Sequence, residues 1–305
     1  MDKELILENI INNYNIETNL SLIKLSQFKQ YPHIFKLECP NFSLIIKIVD
    51  NFRIHCKDIN QLYFQLSKIN CIAIPILTKN KSYFSVLGNR VLLLYEELDE
   101  IINNPNSIWW SECLGNIHNI KVNANYEKCF SANFYNQTTN LLKEAQRFIA
   151  PTLMSKIVSL ITEVDIERIN NVKNMVLCHN DPYNLNVMNK SFEYKLIDTD
   201  GMGLSPREYD IQRLIYNHLI NSNDLDDSLS FWSSFKNKYE IKVGDKINVP
   251  LLKDIYILDL IKTMSWLYIS CNDLSRKDRE RQQNQLYLFE KSFDNDVHYK
   301  ILKKL

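Results

Sequence analysis

Near residue 95 the apolar residues of this chain stop alternating and begin to recur every three to four positions, which separates a strand-rich part from a helical one. Before that point, Ile6, Leu7, Ile10, Ile11 and Tyr14 recur at helical spacing, and residues 20–25, 34–37 and 42–49 read as three short β runs divided by turn residues. Ile59, Leu62, Tyr63, Leu66 and Ile69 mark an amphipathic helix, after which residues 72–77, 83–87 and 90–95 return to strand-like composition. Beyond Glu96-Glu97-Leu98-Asp99-Glu100, Trp110, Cys113, Leu114 and Ile117 share one helical stripe, and a long helix is predicted from about Ala132 to Ile149. The implied class is α+β: a small β-rich part over residues 1–95, a larger and mostly helical part over 96–305, and a connection at about 95–99.

One polar-loaded interruption breaks the helical part, at residues 175–178, 185–188 and 192–197. It reads Cys178-His179-Asn180-Asp181-Pro182-Tyr183-Asn184-Leu185-Asn186-Val187, so His-x-Asp is followed five residues later by Asn, the spacing of a phosphoryl-transfer loop. Such chemistry needs a carboxylate to take the proton of an attacking hydroxyl, here Asp181, and an oxygen ligand for a metal, here Asn186. Asp198 follows at the end of an apolar strand, twelve residues on, as a second metal ligand, and Asp200 either orients the metal or solvates the turn. Asp-Pro and Asn-rich stretches also form ordinary turns; the triple match is what favours chemistry. His179 is expected to hold the loop and not to carry protons.

Lys47 lies among apolar neighbours on a strand, with Leu44, Ile46 and Ile48 on one face and Ile45, Lys47 and Val49 on the other. Such a lysine snorkels to water or meets an anion, and nucleotide phosphates are the natural anion under a kinase reading.

Composition narrows the partners. Lys+Arg and Asp+Glu both number 36 in 305 residues, so the chain carries neither a basic footprint for nucleic acid nor an acidic tail. Its seven cysteines are scattered, without the spacing of a disulfide framework or zinc site. The acidic start, Met1-Asp2-Lys3-Glu4-Leu5, does not suit a signal peptide, and no apolar run approaches the ~20 residues of a membrane span. A cytoplasmic protein without membrane association is expected.

These residues together resemble the aminoglycoside phosphotransferase and choline kinase superfamily, small-molecule kinases of the protein-kinase-like two-lobe fold. Lys47 sits where the family's strand lysine lies, Leu94-Tyr95-Glu96-Glu97-Leu98 resembles the hinge, and Leu114-Gly115-x-Ile117-His118 resembles the helix ending in Leu-His. Gly203-x-x-Pro206-x-x-Tyr209-Asp210 is similar to the signature whose aspartate buttresses the catalytic loop; locally, Ser205-Pro206-Arg207-Glu208 also reads as a capping box. The resemblance implies ATP or GTP and Mg²⁺ as cofactors, Lys47, Ile46, Glu96 and Leu98 as nucleotide-binding residues, and a small-molecule acceptor. Acidic residues along Asn223-Asp224-Leu225-Asp226-Asp227, with Trp266 and Tyr268, would suit a cationic amine.

Two departures stand out. The turn Ser26-Gln27-Phe28-Lys29-Gln30-Tyr31 holds no glycine for close approach to phosphates, and the first-lobe helix offers Asp58, Gln61 and Gln65 but no Glu to pair with Lys47. They leave a catalytically silent scaffold open beside the enzyme. Gly201-x-Gly203-x-x-Pro206 is not a dinucleotide fingerprint, because its third glycine is absent. The mixed charges from Arg276 to Arg281 read as a solvated helix face.

Overall fold

The computed structural model describes residues 3–16, 24–27, 33–39, 41–50, 58–100, 104–122, 126–131, 133–222, 225–272, 279–294 and 297–304. Two compact units emerge, one of Met1–Pro105, Asn119–Glu127 and Asn184–Gly203, the other of Asn106–His118, Lys128–Tyr183 and Leu204–Leu305. The class is α+β, as the change of period implies. The division differs from a single cut near residue 95: residues 184–203, which carry Asn186 and Asp198, pack with the β-rich unit.

In the first unit, β1 (Lys24–Gln27), β2 (Ile34–Cys39), β3 (Phe42–Asp50), β4 (Ser85–Leu87) and β5 (Arg90–Glu96) form one antiparallel sheet in the order β1-β2-β3-β5-β4. Alternation on β3 sends Leu44, Ile46 and Ile48 into a core with Phe35, Leu37, Leu92 and Leu94. The helix α1 (Lys3–Asn13) contributes Ile6 and Ile10 to that core, and Tyr14 follows it in. The shorter α2 (Ile59–Leu66) is capped by Asp58, whose carboxylate accepts the Gln61 N–H at 2.9 Å.

Residues 72–77 do not form the expected strand. They carry Pro75, which cannot donate to a ladder, and are tied by single bonds: Ala73 N–H to the Leu196 carbonyl at 2.9 Å and Ile76 N–H to that of Leu94 at 2.6 Å. The hairpin of β7 (Val187–Lys190) and β8 (Glu193–Leu196) completes the unit, its turn made of Ser191 and Phe192. Of the glycine-free stretch expected as the turn between the first two strands, 26–31, Ser26 and Gln27 end β1 and residues 28–31 lie outside the described residues.

In the second unit, α3 (Ser107–His118) packs on α8 (Leu225–Val243), and α4 (Phe134–Ala145) packs on α9 (Val249–Asn272). The predicted long helix is α4 plus a 3-10 turn at Gln146–Phe148. Buried over most of its surface, α9 is the unit's core helix and also meets α5 (Pro151–Thr162), α6 (Ile166–Asn170), α7 (Arg207–Ser222) and α10 (Arg279–Asp294). A short last helix, α11 (Val297–Lys304), lies against α8 and α10. The strands β6 (Val176–Cys178) and β9 (Gly203–Ser205) pair and lead into the residues of interest. No helix is long and apolar enough to cross a membrane among the described residues.

Candidate active site

The first unit brings Lys47, Asp198 and Asp200 together. Lys47 stands mid-strand on β3, in register with Leu93 of β5, and its ammonium pairs with one oxygen of each carboxylate. Burial, the largest influence, pulls the lysine pKa down, but the attraction of Asp200 and Asp198 outweighs it and leaves the group raised and cationic. The missing helix glutamate is thus replaced: Asp58 caps α2, Gln65 accepts from the Tyr126 hydroxyl at 2.9 Å, and the lysine turns to the acids after β8.

Asn186 closes the start of the same hairpin. The Ile197 N–H donates to its carbonyl at 2.8 Å, which places Asn186 across the ladder from the residue before Asp198. Asp198 itself adopts the left-handed region at φ 65°, a conformation that Asp tolerates better than most residues. Behind it, a chain of hydroxyls links the turn to α2 and β5: Tyr63 bonds Thr199 and Tyr95, both at 3.1 Å.

Ile46 does not join this cluster. It is wholly buried on the opposite face of β3, under α1, because adjacent residues of a strand point to opposite sides. Its expected part in nucleotide binding is therefore corrected to a core role. Glu96 and Leu98 line a cavity of about 570 Å³ with residues 72–77, Tyr83, Tyr95, Lys190, Ser191, Glu193 and Lys195, and Glu96 forms an ion pair with Lys190. Lys47, Asp198 and Asp200 do not line that cavity.

The second unit builds the Asp181 loop. After β6, the N–H groups of His179 and Asn180 both donate to Asp210 of α7, at 2.8 and 2.7 Å, so one buried carboxylate fixes two successive peptide groups. Asn180 is left-handed at φ 67°, and its side-chain oxygen accepts from the Ser205 hydroxyl at 2.8 Å. The capping box read at 205–208 is accordingly redirected: Ser205 serves the loop, and Glu208 accepts from the Asn248 N–H at 3.0 Å. His179 is buried, whereas the Asp181 side chain is 54% exposed.

Three residues that the motif reading passed over, Tyr239, Arg213 and Asp259, join in beside His118, which it had named. His118, at the end of α3, bonds Asp210 at 3.1 Å through Nε2 and Tyr239 of α8 at 2.5 Å through Nδ1. Arg213, one turn beyond Asp210, brings a guanidinium nitrogen to 3.8 Å from Asp181 and is held by Asp259 of α9 at 2.9 and 3.0 Å. A lone acid within the apolar run Tyr256-Ile257-Leu258-Asp259-Leu260-Ile261 was the available signal, because a charge there must find a partner.

Residues proposed for a cationic substrate are spread differently. Trp266 is partly exposed on α9, whereas Tyr268 is buried and donates to Glu290. Asp226 and Asp227 sit in the first turn of α8, where acids suit the helix dipole; Asn223 and Asp224 lie outside the described residues. So do Arg276, Lys277 and Asp278.

No protein-family model and no curated protein matches the sequence. Solved structures match over almost its whole length. A spectinomycin phosphotransferase, solved with ADP and spectinomycin, is similar at 16% identity and TM-score 0.69, over 100% of this chain and 99% of its own. An amicoumacin kinase, solved with AMP-PNP, Ca²⁺ and its substrate, aligns at 16% identity and TM-score 0.65, over 98% and 94%. The choline kinase of Streptococcus pneumoniae aligns at 14% identity and TM-score 0.60, over 95% and 99%. A β-rich unit carrying a paired strand lysine, a helical unit carrying a buttressed His-x-Asp loop, and these full-length matches together give the chain the protein-kinase-like fold of the aminoglycoside phosphotransferases and choline kinases.

Proposed function

We propose that this chain transfers the γ-phosphoryl group of ATP or GTP to a hydroxyl of a small, amine-bearing molecule, as the aminoglycoside phosphotransferases do. The observation that carries the reading is the pairing of Lys47 with both Asp198 and Asp200 at the end of the β7–β8 hairpin. Two carboxylates and the Asn186 amide are hard oxygen donors of the kind Mg²⁺ takes, and the ammonium drawn onto them marks a place where positive charge is stabilised. Mg²⁺ held by Asn186 and Asp198 would neutralise charge on the transferred group.

The other roles follow from the side chains. Lys47 stays cationic and passes from the carboxylates to the nucleotide phosphates. Asp181, accessible and carried on a loop whose backbone Asp210 fixes, accepts the proton of the acceptor hydroxyl. Glu96 and Leu98 border the cavity proposed for the base of the nucleotide. The ligands of the solved spectinomycin and amicoumacin enzymes support this reading.

An amino alcohol of the choline or ethanolamine type is the second reading, favoured by the exposed ring of Trp266, which offers a cation–π face. The test is turnover of Mg·ATP and Mg·GTP by the purified protein against panels of aminoglycosides and amino alcohols. Asp181→Ala and Asp198→Ala should each lower turnover by about a thousandfold while staying folded. A wild type that neither binds nucleotide nor turns over would replace the enzyme with a silent scaffold.

A further inference from the structure

We infer that Arg213 is a positioning residue for the base Asp181, fixed in turn by Asp259; the inference rests on the kinase reading above. Arg213 is placed by α7 one turn beyond Asp210, so a single helix presents both groups to the loop. Asp210 holds the loop's backbone through the N–H groups of His179 and Asn180, while Arg213 addresses the carboxylate itself.

The guanidinium divides its donors. A terminal nitrogen donates to Asp259 Oδ1 at 3.0 Å, and Nε lies 2.9 Å from Oδ2 as an ion-pair contact without hydrogen-bond geometry, so the clasp is one hydrogen bond and one charge contact. The Asp259 side chain is almost wholly buried, and Oδ2, the oxygen beside Nε, accepts from Gln212 at 2.9 Å. The Tyr209 hydroxyl accepts from Arg213 at 3.2 Å, and the guanidinium sits 5.4 Å from the centre of that ring. These contacts fix the plane of the guanidinium, and the remaining terminal nitrogen points toward Asp181 at 3.8 Å.

At that separation the contact is an ion pair and not a hydrogen bond. It steers the carboxylate by charge without occupying its lone pairs, which a general base needs for the incoming proton. A clasp serving stability alone is poorly explained, because replacing a buried ion pair by apolar side chains is often neutral or stabilising. A chain running Asp259, Arg213, Asp181 explains why α9 keeps a charge in its apolar stretch. It also commits Asp259 to the arginine, so this carboxylate does not serve an acceptor amine.

The test compares wild type, Asp181→Asn, Arg213→Gly, Arg213→Lys and Asp259→Asn in steady-state turnover of Mg·ATP, with thermal melts as the folding control. Arg213→Gly should lower kcat by about a hundredfold and leave KM for ATP within about twofold, the pattern of a misplaced base. Added guanidinium chloride at low concentration should restore part of that kcat, and equal sodium chloride should not. Arg213→Lys should recover little, since an ammonium cannot make the clasp, and Asp259→Asn should lower kcat in the same sense. Unchanged kcat in folded Arg213→Gly or Arg213→Lys, or a loss that guanidinium does not relieve, would overturn the positioning role. An inactive wild type would instead overturn the kinase reading, and this inference with it.

Discussion

Asp210 is wholly buried and accepts three hydrogen bonds, from His118 and from the His179 and Asn180 N–H groups. The Asp210 carboxylate only accepts, so Nε2 of His118 carries a proton and Nδ1 accepts a hydrogen bond from the Tyr239 hydroxyl, which burial keeps protonated. Cys178, His118 and Asp210 lie close enough to suggest metal ligands, but His118 and Asp210 are already used by this hydrogen-bonded chain. Tyr239→Phe removes that donor. We expect a stability loss of about 1–3 kcal/mol from the unpaired Nδ1, read by denaturant melts, and a drop in turnover because the Asp181 loop loosens. His118→Phe should match it in turnover.

The β7–β8 hairpin turns through Ser191 and Phe192, both at positive φ (50° and 70°), and the Phe192 side chain is fully exposed. Two-residue hairpin turns of this hand suit Asn-Gly, so the natural pair is strained. The double substitution Ser191→Asn, Phe192→Gly should raise stability by about 1 kcal/mol, visible as a higher thermal midpoint. The α3–α8 contact is tight at Gly115, where an added Cβ would meet the Lys242 side chain at 2.6 Å. The close atoms, Lys242 Cγ and Cβ (3.2 Å), are the root of that side chain and give way only with a small shift of α8, so Gly115→Ala should cost about 1–2 kcal/mol despite its better helix propensity. Gly115→Leu cannot be accommodated this way and should cost about 2–3 kcal/mol in a denaturant melt.

For the molecule as a whole, acid sensitivity is expected from His298. Burial lowers its pKa from 6.5 to about 3, and its Nδ1 meets the Tyr256 hydroxyl at 2.8 Å. The folded protein keeps this group neutral while the unfolded chain protonates it. The stability it contributes is therefore complete above about pH 6.5 and is lost as pH falls toward 3, by up to about 1.4 kcal/mol per pH unit. Urea melts between pH 7 and 4 should show this slope, and His298→Gln should flatten it even if the variant is less stable at pH 7.

The sequence by itself determined the class, the strand lysine, and the spacing of Asp181, Asn186 and Asp198, because period and local spacing are properties of adjacent residues. It also exposed the missing helix glutamate, but not that Asp198 and Asp200 would take Lys47 in its place, a pairing that spans about 150 residues. The alternation put Ile46 on the face opposite Lys47, where the structure has it, and it was the resemblance, not the strand pattern, that gave it a nucleotide role. Tyr239, Arg213 and Asp259 stand on three separate helices, and although the apolar run around Asp259 signals a charge in need of a partner, it does not say which partner. Only tertiary packing decided that, since hydrogen bonds and ion pairs form between groups that folding brings together, however far apart they lie along the chain.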